Sequence, residues 1–443
     1  MKKMKPSLVS LLPLDVVAKI VFFIRDWNVV LTCLEVLRSA NALGPLESLW
    51  RLHLLNWKDC DLWPTLDLTK LNDASRVDVE TIAKFYSKVT VNVKTNADWA
   101  CQYIHPNTSV EMKNVHFLKS DDDVILELED IEDGSTYNLD TETLAKWKDI
   151  RVVAIDEKIF TLPSCLVYFP RLVVIDCREC IGQMAEAVFD YAASSSSLRI
   201  LRLEAYESFN HGHCSITSAM AKKLIQWIKS QLIESISLKL FIWEVFSQRN
   251  AVVSSALSKL SMKKLEIVEE YASGWCSRGD FCRAEQALQL EFCDPRNCGF
   301  ENLDMLIEYI HSFEAIFDSD IKTLCLIGFH SVGFSDLWPL FAPLLQRSKL
   351  EQLTVYIDGI TEADAVKVVE TLQNASTLET LFIVNPGKKV PFDAVQTFLH
   401  GVPPSVKRFP KVSRLHYLAY SYSQDECILL QDLASKKGIS LLY

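Results

Sequence analysis

Glycine is scarce in this chain, 13 residues in 443, and no Gly-x-x-x-x-Gly-Lys-Ser/Thr, Gly-x-Gly-x-x-Gly or Gly-x-Ser-x-Gly sequence occurs. The sequence signatures of phosphate-cradling loops and of the hydrolase nucleophile elbow are therefore absent, and with so little glycine phosphate-cradling loops are scarce. Acids and histidines are scattered without discernible pairing, so nothing in the sequence asks for an enzyme. Basic charge is short as well: 46 Lys and Arg stand against 57 Asp and Glu, a formal net charge of -11. That balance argues against non-specific attraction to nucleic acid or to an anionic membrane surface. No apolar run reaches the roughly 18 residues of a membrane span. The apolar start after Met1-Lys2-Lys3 is interrupted by Pro13, Asp15 and Lys19, and reads as neither a signal peptide nor an anchor. Cysteine follows no disulfide framework: the 13 residues are odd in number and irregularly spaced, which suits a reducing compartment. The expected location is cytoplasmic or nuclear, with no cofactor and no structural metal.

What the chain has instead is a recurrence. Apolar-x-x-apolar-x-apolar begins at Ile150, Leu172, Leu198, Ile233, Met262, Glu285, Ile321, Leu350 and Leu378, with Glu285 the imperfect first position. Leu198-x-x-Leu201-x-Leu203, Ile321-x-x-Leu324-x-Leu326 and Leu378-x-x-Leu381-x-Ile383 are the best copies. Alternation of this kind puts one side of a short strand into a core, and a unit so small must stack on neighbours to bury it. Helical periodicity follows most copies, over 181–193, 215–231, 301–317 and 361–375. Starts recur every 22 to 36 residues, and the two longest gaps place insertions at Ser208–Ser215 and Asp294–Gly299. Strand–helix repeats of this length predict an α/β fold, a leucine-rich-repeat horseshoe solenoid with strands lining its concave side.

Three regions are expected: a small helical unit at 8–57, a divergent start of the array at 58–145, and the array with its C-terminal cap at 146–443. The middle region shows a helical stretch at 78–86, the alternation Val89-Val91-Val93 and an early repeat-like Met112-x-x-Val115-x-Phe117. After Ile383 the pattern decays through Pro386, Pro391 and Pro403-Pro404, and a last helix near 426–436 leads to Ile439-Ser440-Leu441-Leu442. In the first unit Leu14, Val17, Ile20, Val21 and Ile24 mark one helical face, and Val30, Leu31, Leu34 and Leu37 another. A unit so short has no obvious core of its own and calls for a partner surface, or else caps the array.

Leu12-Pro13-x-Asp15-Val16-Val17-x-x-Ile20-x-x-x-Ile24, then Asp26, Leu31, Leu34 and Val36-x-Arg38, and finally Leu49-Trp50-Arg51-x-x-Leu54, resembles an F-box. That helical module docks the Skp-type adaptor of cullin–RING ubiquitin ligases. The resemblance implies that Leu12, Pro13, Val16, Val17 and Ile20 meet the adaptor, with Leu34 and Val36 supporting the second helix. An F-box followed by leucine-rich repeats is a known family arrangement, and it implies that the repeats hold the protein to be ubiquitinated. The other reading is a leucine-rich-repeat interaction scaffold unconnected with ubiquitin.

Alternation turns the residues between the core leucines outward: Asp176 and Arg178, Arg202 and Glu204, Lys239, Lys264 and Glu266, Gln289 and Glu291, then Thr354, Tyr356, Thr380 and Phe382. The early part of this row is mixed in charge and the later part more apolar and aromatic, so the target protein is expected across it, anchored near Tyr356 and Phe382. Cys177-x-x-Cys180 falls in register with its repeat and reads as core filler, as does Cys293. His211-Gly212-His213-Cys214 lacks a second ligand pair for zinc. The acidic stretch from Asp121 to Asp133 and the basic one formed by Lys407, Arg408, Lys411 and Arg414 read as solvated edges.

Overall fold

The computed structural model describes residues 12–55, 57–92, 95–113, 152–157, 166–205, 214–271, 275–292, 303–317, 321–329, 334–357, 360–373, 377–384, 390–402, 405–406, 408–410 and 422–442. The protein is mixed α/β and divides into two compact units, Met1–Tyr191 with Ser195–Leu198, and Ala192–Ser194 with Arg199–Tyr443. The acidic stretch, Cys293, His211, His213, Val115 and Phe117 lie outside the described residues, as do Lys407, Lys411 and Arg414.

The first unit opens with α1 (Leu14–Val21), α2 (Trp27–Ser39) and α3 (Leu46–Leu54). The Asp26 carboxylate caps α2 by accepting from the Asn28 N–H at 2.8 Å, which satisfies an otherwise orphaned helix donor. Short α4 (Asp59–Leu62) leads to five parallel strands in chain order, β1 (Leu66–Asp67), β2 (Lys88–Val91), β3 (Ser109–Lys113), β4 (Val152–Glu157) and β5 (Val174–Cys180). The backbone register sets Val91, Met112, Ile155 and Ile175 abreast. The connectors include α5 (Arg76–Ile82) and α6 (Ala97–Tyr103), and α7 (Gly182–Ser194) follows β5.

On β3 the buried positions are Val110 and Met112. One expectation is corrected here: the helical unit does not lack a core. Ala18, Val21, Val30, Leu34, Leu37, Leu46, Leu49 and Leu52 are buried, and Phe22 packs on Trp63, Phe85 and Tyr86. The Trp63 indole donates to the Ile24 carbonyl at 3.0 Å, tying α1 to the chain beyond α4.

The second unit carries an open run of ten strands: β6 (Ile200–Ala205), β8 (Ser235–Lys239), β10 (Lys264–Tyr271), β11 (Trp275–Cys282), β12 (Ala287–Phe292), β13 (Thr323–Phe329), β14 (Gln352–Ile357), β15 (Thr380–Val384), β16 (Arg408–Pro410) and β17 (Ser440–Leu442). A separate small pair joins β7 (Ser215–Ile216) to β9 (Ile242–Trp243). Register sets the repeat leucines abreast in two fully buried rows. One runs Leu201, Ile236, Leu265, Phe281, Leu288, Leu324, Leu353, Leu381. The other runs Leu203, Leu238, Ile267, Gly279, Leu290, Leu326, Val355, Ile383. The helices are α8 (Ser218–Ser230), α9 (Phe246–Leu257), α10 (Leu303–His311), α11 (Glu314–Phe317), α12 (Phe334–Arg347), α13 (Glu362–Leu372), α14 (Phe392–Gly401) and α15 (Gln424–Lys436).

β11 departs from the expected plan. It runs antiparallel to both β10 and β12, and no described helix separates these three strands. Gly279 leaves a gap in the inner row: a Cβ there would stand 2.8 Å from the Phe313 ring and 3.0 Å from the Tyr309 hydroxyl. Aromatic side chains from the α10–α11 segment thus fill the place a core side chain would take. Beyond Ile383, α14 starts directly after Pro391, the expected last helix is α15, and β16 and β17 extend the sheet; Pro386, Pro403 and Pro404 lie outside the described residues.

The register makes a contrast measurable. Leu201→Ala should cost about 2–5 kcal/mol of stability through lost burial and a residual cavity, whereas Arg202→Ala, at an exposed position, should cost under about 0.5 kcal/mol. Equal shifts in the unfolding midpoint would mean that the strand faces are misassigned.

Candidate functional site

Two surfaces collect the residues singled out from the sequence. On α1 the inward stripe is Ala18 and Val21, while Val16 and Ile20 on the helix and Leu12 just before it keep 39%, 52% and 44% of their surface exposed. Val36 on α2 is 58% exposed. Between the two helices lies a groove of about 350 Å³ lined by Leu12, Val17, Ile20, Val21, Ile24, Thr32, Cys33, Val36 and Leu37. It gathers Leu12, Val17, Ile20 and Val36, with exposed Pro13 and Val16 on the adjoining surface. Leu34 lies outside this surface: it is fully buried beneath α2. Phe23, 84% exposed, was missed. The Phe22-Phe23 pair is its only sequence signal, one ring turning inward and the other outward. So much unpaired apolar side chain on a folded unit is the signature of an interaction surface.

The second surface is the outward face of the second unit's sheet. Arg202, Ser237, Glu266, Asp280, Gln289, Cys325, Thr354 and Phe382 lie abreast. A neighbouring row holds Glu204, Lys239, Val268, Arg278, Glu291 and Ile327. Lys264 and Thr380 share a third row, and Tyr356 pairs with Val384. Asp176 and Arg178, on β5, belong to the first unit.

Glu266 is corrected: it is 7% exposed and cannot present itself to a partner. It accepts from the Ser237 hydroxyl at 3.1 Å, with Lys239, Lys264 and Arg278 at 3.6, 3.7 and 3.4 Å. Burial works against its ionisation, but Lys239, Lys264, the Ser237 hydroxyl and Arg278 outweigh it and hold the carboxyl below the usual range. Its support for the fold is therefore present near neutrality and fades as pH falls through that depressed value. Arg278, which also pairs with Asp280 at 3.0 Å, was missed because β11 was missed. Toward β15 the face changes character. Burial and the Glu291 charge push the Cys325 thiol up to about 11, so it is an unreactive apolar neighbour. Burial and then Cys325 raise the Tyr356 phenol.

The remaining cysteine readings fit core roles. Cys177 and Cys180 are buried on β5, and burial pushes the Cys214 thiol up to about 11. Among the described residues no cluster of three His, Cys, Asp or Glu could hold a metal ion, and no helix is long and apolar enough to cross a membrane. No protein-family model matches the chain, and no curated protein matches it.

Proposed function

We propose that this chain is a substrate-recognition subunit of a cullin–RING ubiquitin ligase, its helical N-terminal unit an F-box that docks a Skp-type adaptor and through it a cullin. The observation that carries this reading is the exposed apolar groove between α1 and α2, which gathers Leu12, Val17, Ile20 and Val36. In the same reading the strand–helix recurrence is a leucine-rich-repeat horseshoe, and its outward sheet face holds the target protein. Chemistry belongs to other subunits. The chain contributes proximity, raising the effective concentration of a target lysine at the charged enzyme. Purified under mild conditions from cells, the full chain should bring down a Skp-type adaptor with a cullin. Recovery of neither supports the scaffold reading instead.

On the sheet face, buried aromatics supply much of the affinity of a protein interface and rim charges mainly steer. Tyr356→Ala with Phe382→Ala should weaken target capture at least about tenfold, while Arg202→Ala with Glu204→Ala should change it less. Adaptor recovery should be unchanged in both. Target crosslinks confined to the helices opposite this face would contradict the assignment.

A further inference from the structure

A cleft of about 340 Å³ lies in the first unit over the ends of β1 and β2, apart from both surfaces described above. Its walls are built by one device used twice. The Asn72 N–H donates to the Ser75 hydroxyl at 3.2 Å, and the Ser75 N–H returns to the Asn72 carboxamide oxygen at 3.0 Å. Twenty residues on, by subtraction, the Asn92 N–H donates to the Thr95 hydroxyl at 3.3 Å, and the Thr95 N–H to the Asn92 oxygen at 3.1 Å. The Asn96 oxygen accepts from the Trp99 N–H at 3.1 Å. All three carboxamide oxygens are committed within the wall. Their NH2 groups find no acceptor among the described residues, and the bonded oxygens fix which end of each amide they occupy.

Arg76 lines the same cleft. Its Nε donates to Glu80 at 3.1 Å, and Glu80 also accepts the Trp99 indole N–H at 2.8 Å. Glu80 is thereby a positioning residue, fixing one edge of the guanidinium and leaving the other for a ligand. The cleft lining sets one exposed carboxylate, Asp73, beside these groups, while Glu80 pairs with Arg76 from outside the lining. The volume matches small-molecule sites.

We propose that this cleft binds a small oxyanion, the carboxylate or phosphate group of a low-molecular-weight ligand, held by Arg76 and the Asn72, Asn92 and Asn96 amides. The proposal is independent of the adaptor reading. Charge-assisted donors to oxyanions are the stronger class of hydrogen bond, and a guanidinium suits either anion.

The test is calorimetric titration of the intact chain, in separate arms, with inorganic phosphate and with malonate. At least one should saturate with a dissociation constant in the millimolar range or tighter, on the order of 1 mM, and the arm that saturates identifies the source. Arg76→Gln should weaken that binding at least about tenfold, and Asp73→Asn should tighten it, since a repelling charge is removed. Both positions are exposed, so both variants should melt as the parent does. Absence of saturation by either anion at about 20 mM, or equal binding by the parent and Arg76→Gln, overturns the proposal.

Discussion

Aspartate at Leu12, Val16 and Ile20 together should abolish capture of a Skp-type adaptor by the full chain without unfolding it. Loss of a buried anchor at an interface centre costs on the order of 2 kcal/mol or more, and a charge placed there adds desolvation. The three positions are exposed in the free protein while Ala18 and Val21 hold α1 in place, so the substitutions spare the core. Adaptor capture by co-precipitation, with circular dichroism as the folding control, reads the result. A folded triple variant that still captures the adaptor would remove the basis for an F-box.

The largest stability effect is expected inside the second unit, where Arg249 and Glu269 form a 2.6 Å ion pair with both side chains fully buried. Glu269 continues the inward face of β10 after Leu265 and Ile267, and Arg249 reaches it from α9. The guanidinium stacks 4.1 Å from the Tyr309 ring centroid, with Phe246 at 5.0 Å, and its Nε donates to Asn250 at 3.2 Å. Arg249→Met should cost about 3–5 kcal/mol, because it leaves a buried carboxylate without its ion-pair partner. Arg249→Met with Glu269→Leu should recover most of that loss, since replacing both ions by apolar groups is often neutral. Denaturant midpoints measure both, and a double variant as unstable as the single one would show that the pair is not the source of the effect.

Much of the strand register was legible because it rests on alternation. Even the copy at Glu285 places Leu288 and Leu290 in the two buried rows despite its polar first residue. β11 was not legible, since Ser277 and Gly279 interrupt its alternation and Gly279 leaves its core position to the Phe313 and Tyr309 rings. Helix α12 was hidden by Pro339 and Pro343, which normally break helical patterns. At the surfaces, spacing gave the apolar positions of α1 and α2 but not which stripe is buried. That choice is tertiary: Phe22 is drawn onto Trp63, Phe85 and Tyr86, Leu34 is buried, and Val36 and Phe23 are left outside. Glu266 was placed on the correct strand face, yet three cations from its own and neighbouring strands cover it. No period encodes such convergence.

If the N-terminal unit is an F-box, titrating the purified full chain with a purified Skp-type adaptor should give a one-to-one complex with a dissociation constant of about 1 μM or tighter, lost when Leu12, Val16 and Ile20 become aspartate. No detectable complex at adaptor concentrations of about 50 μM would contradict the F-box reading.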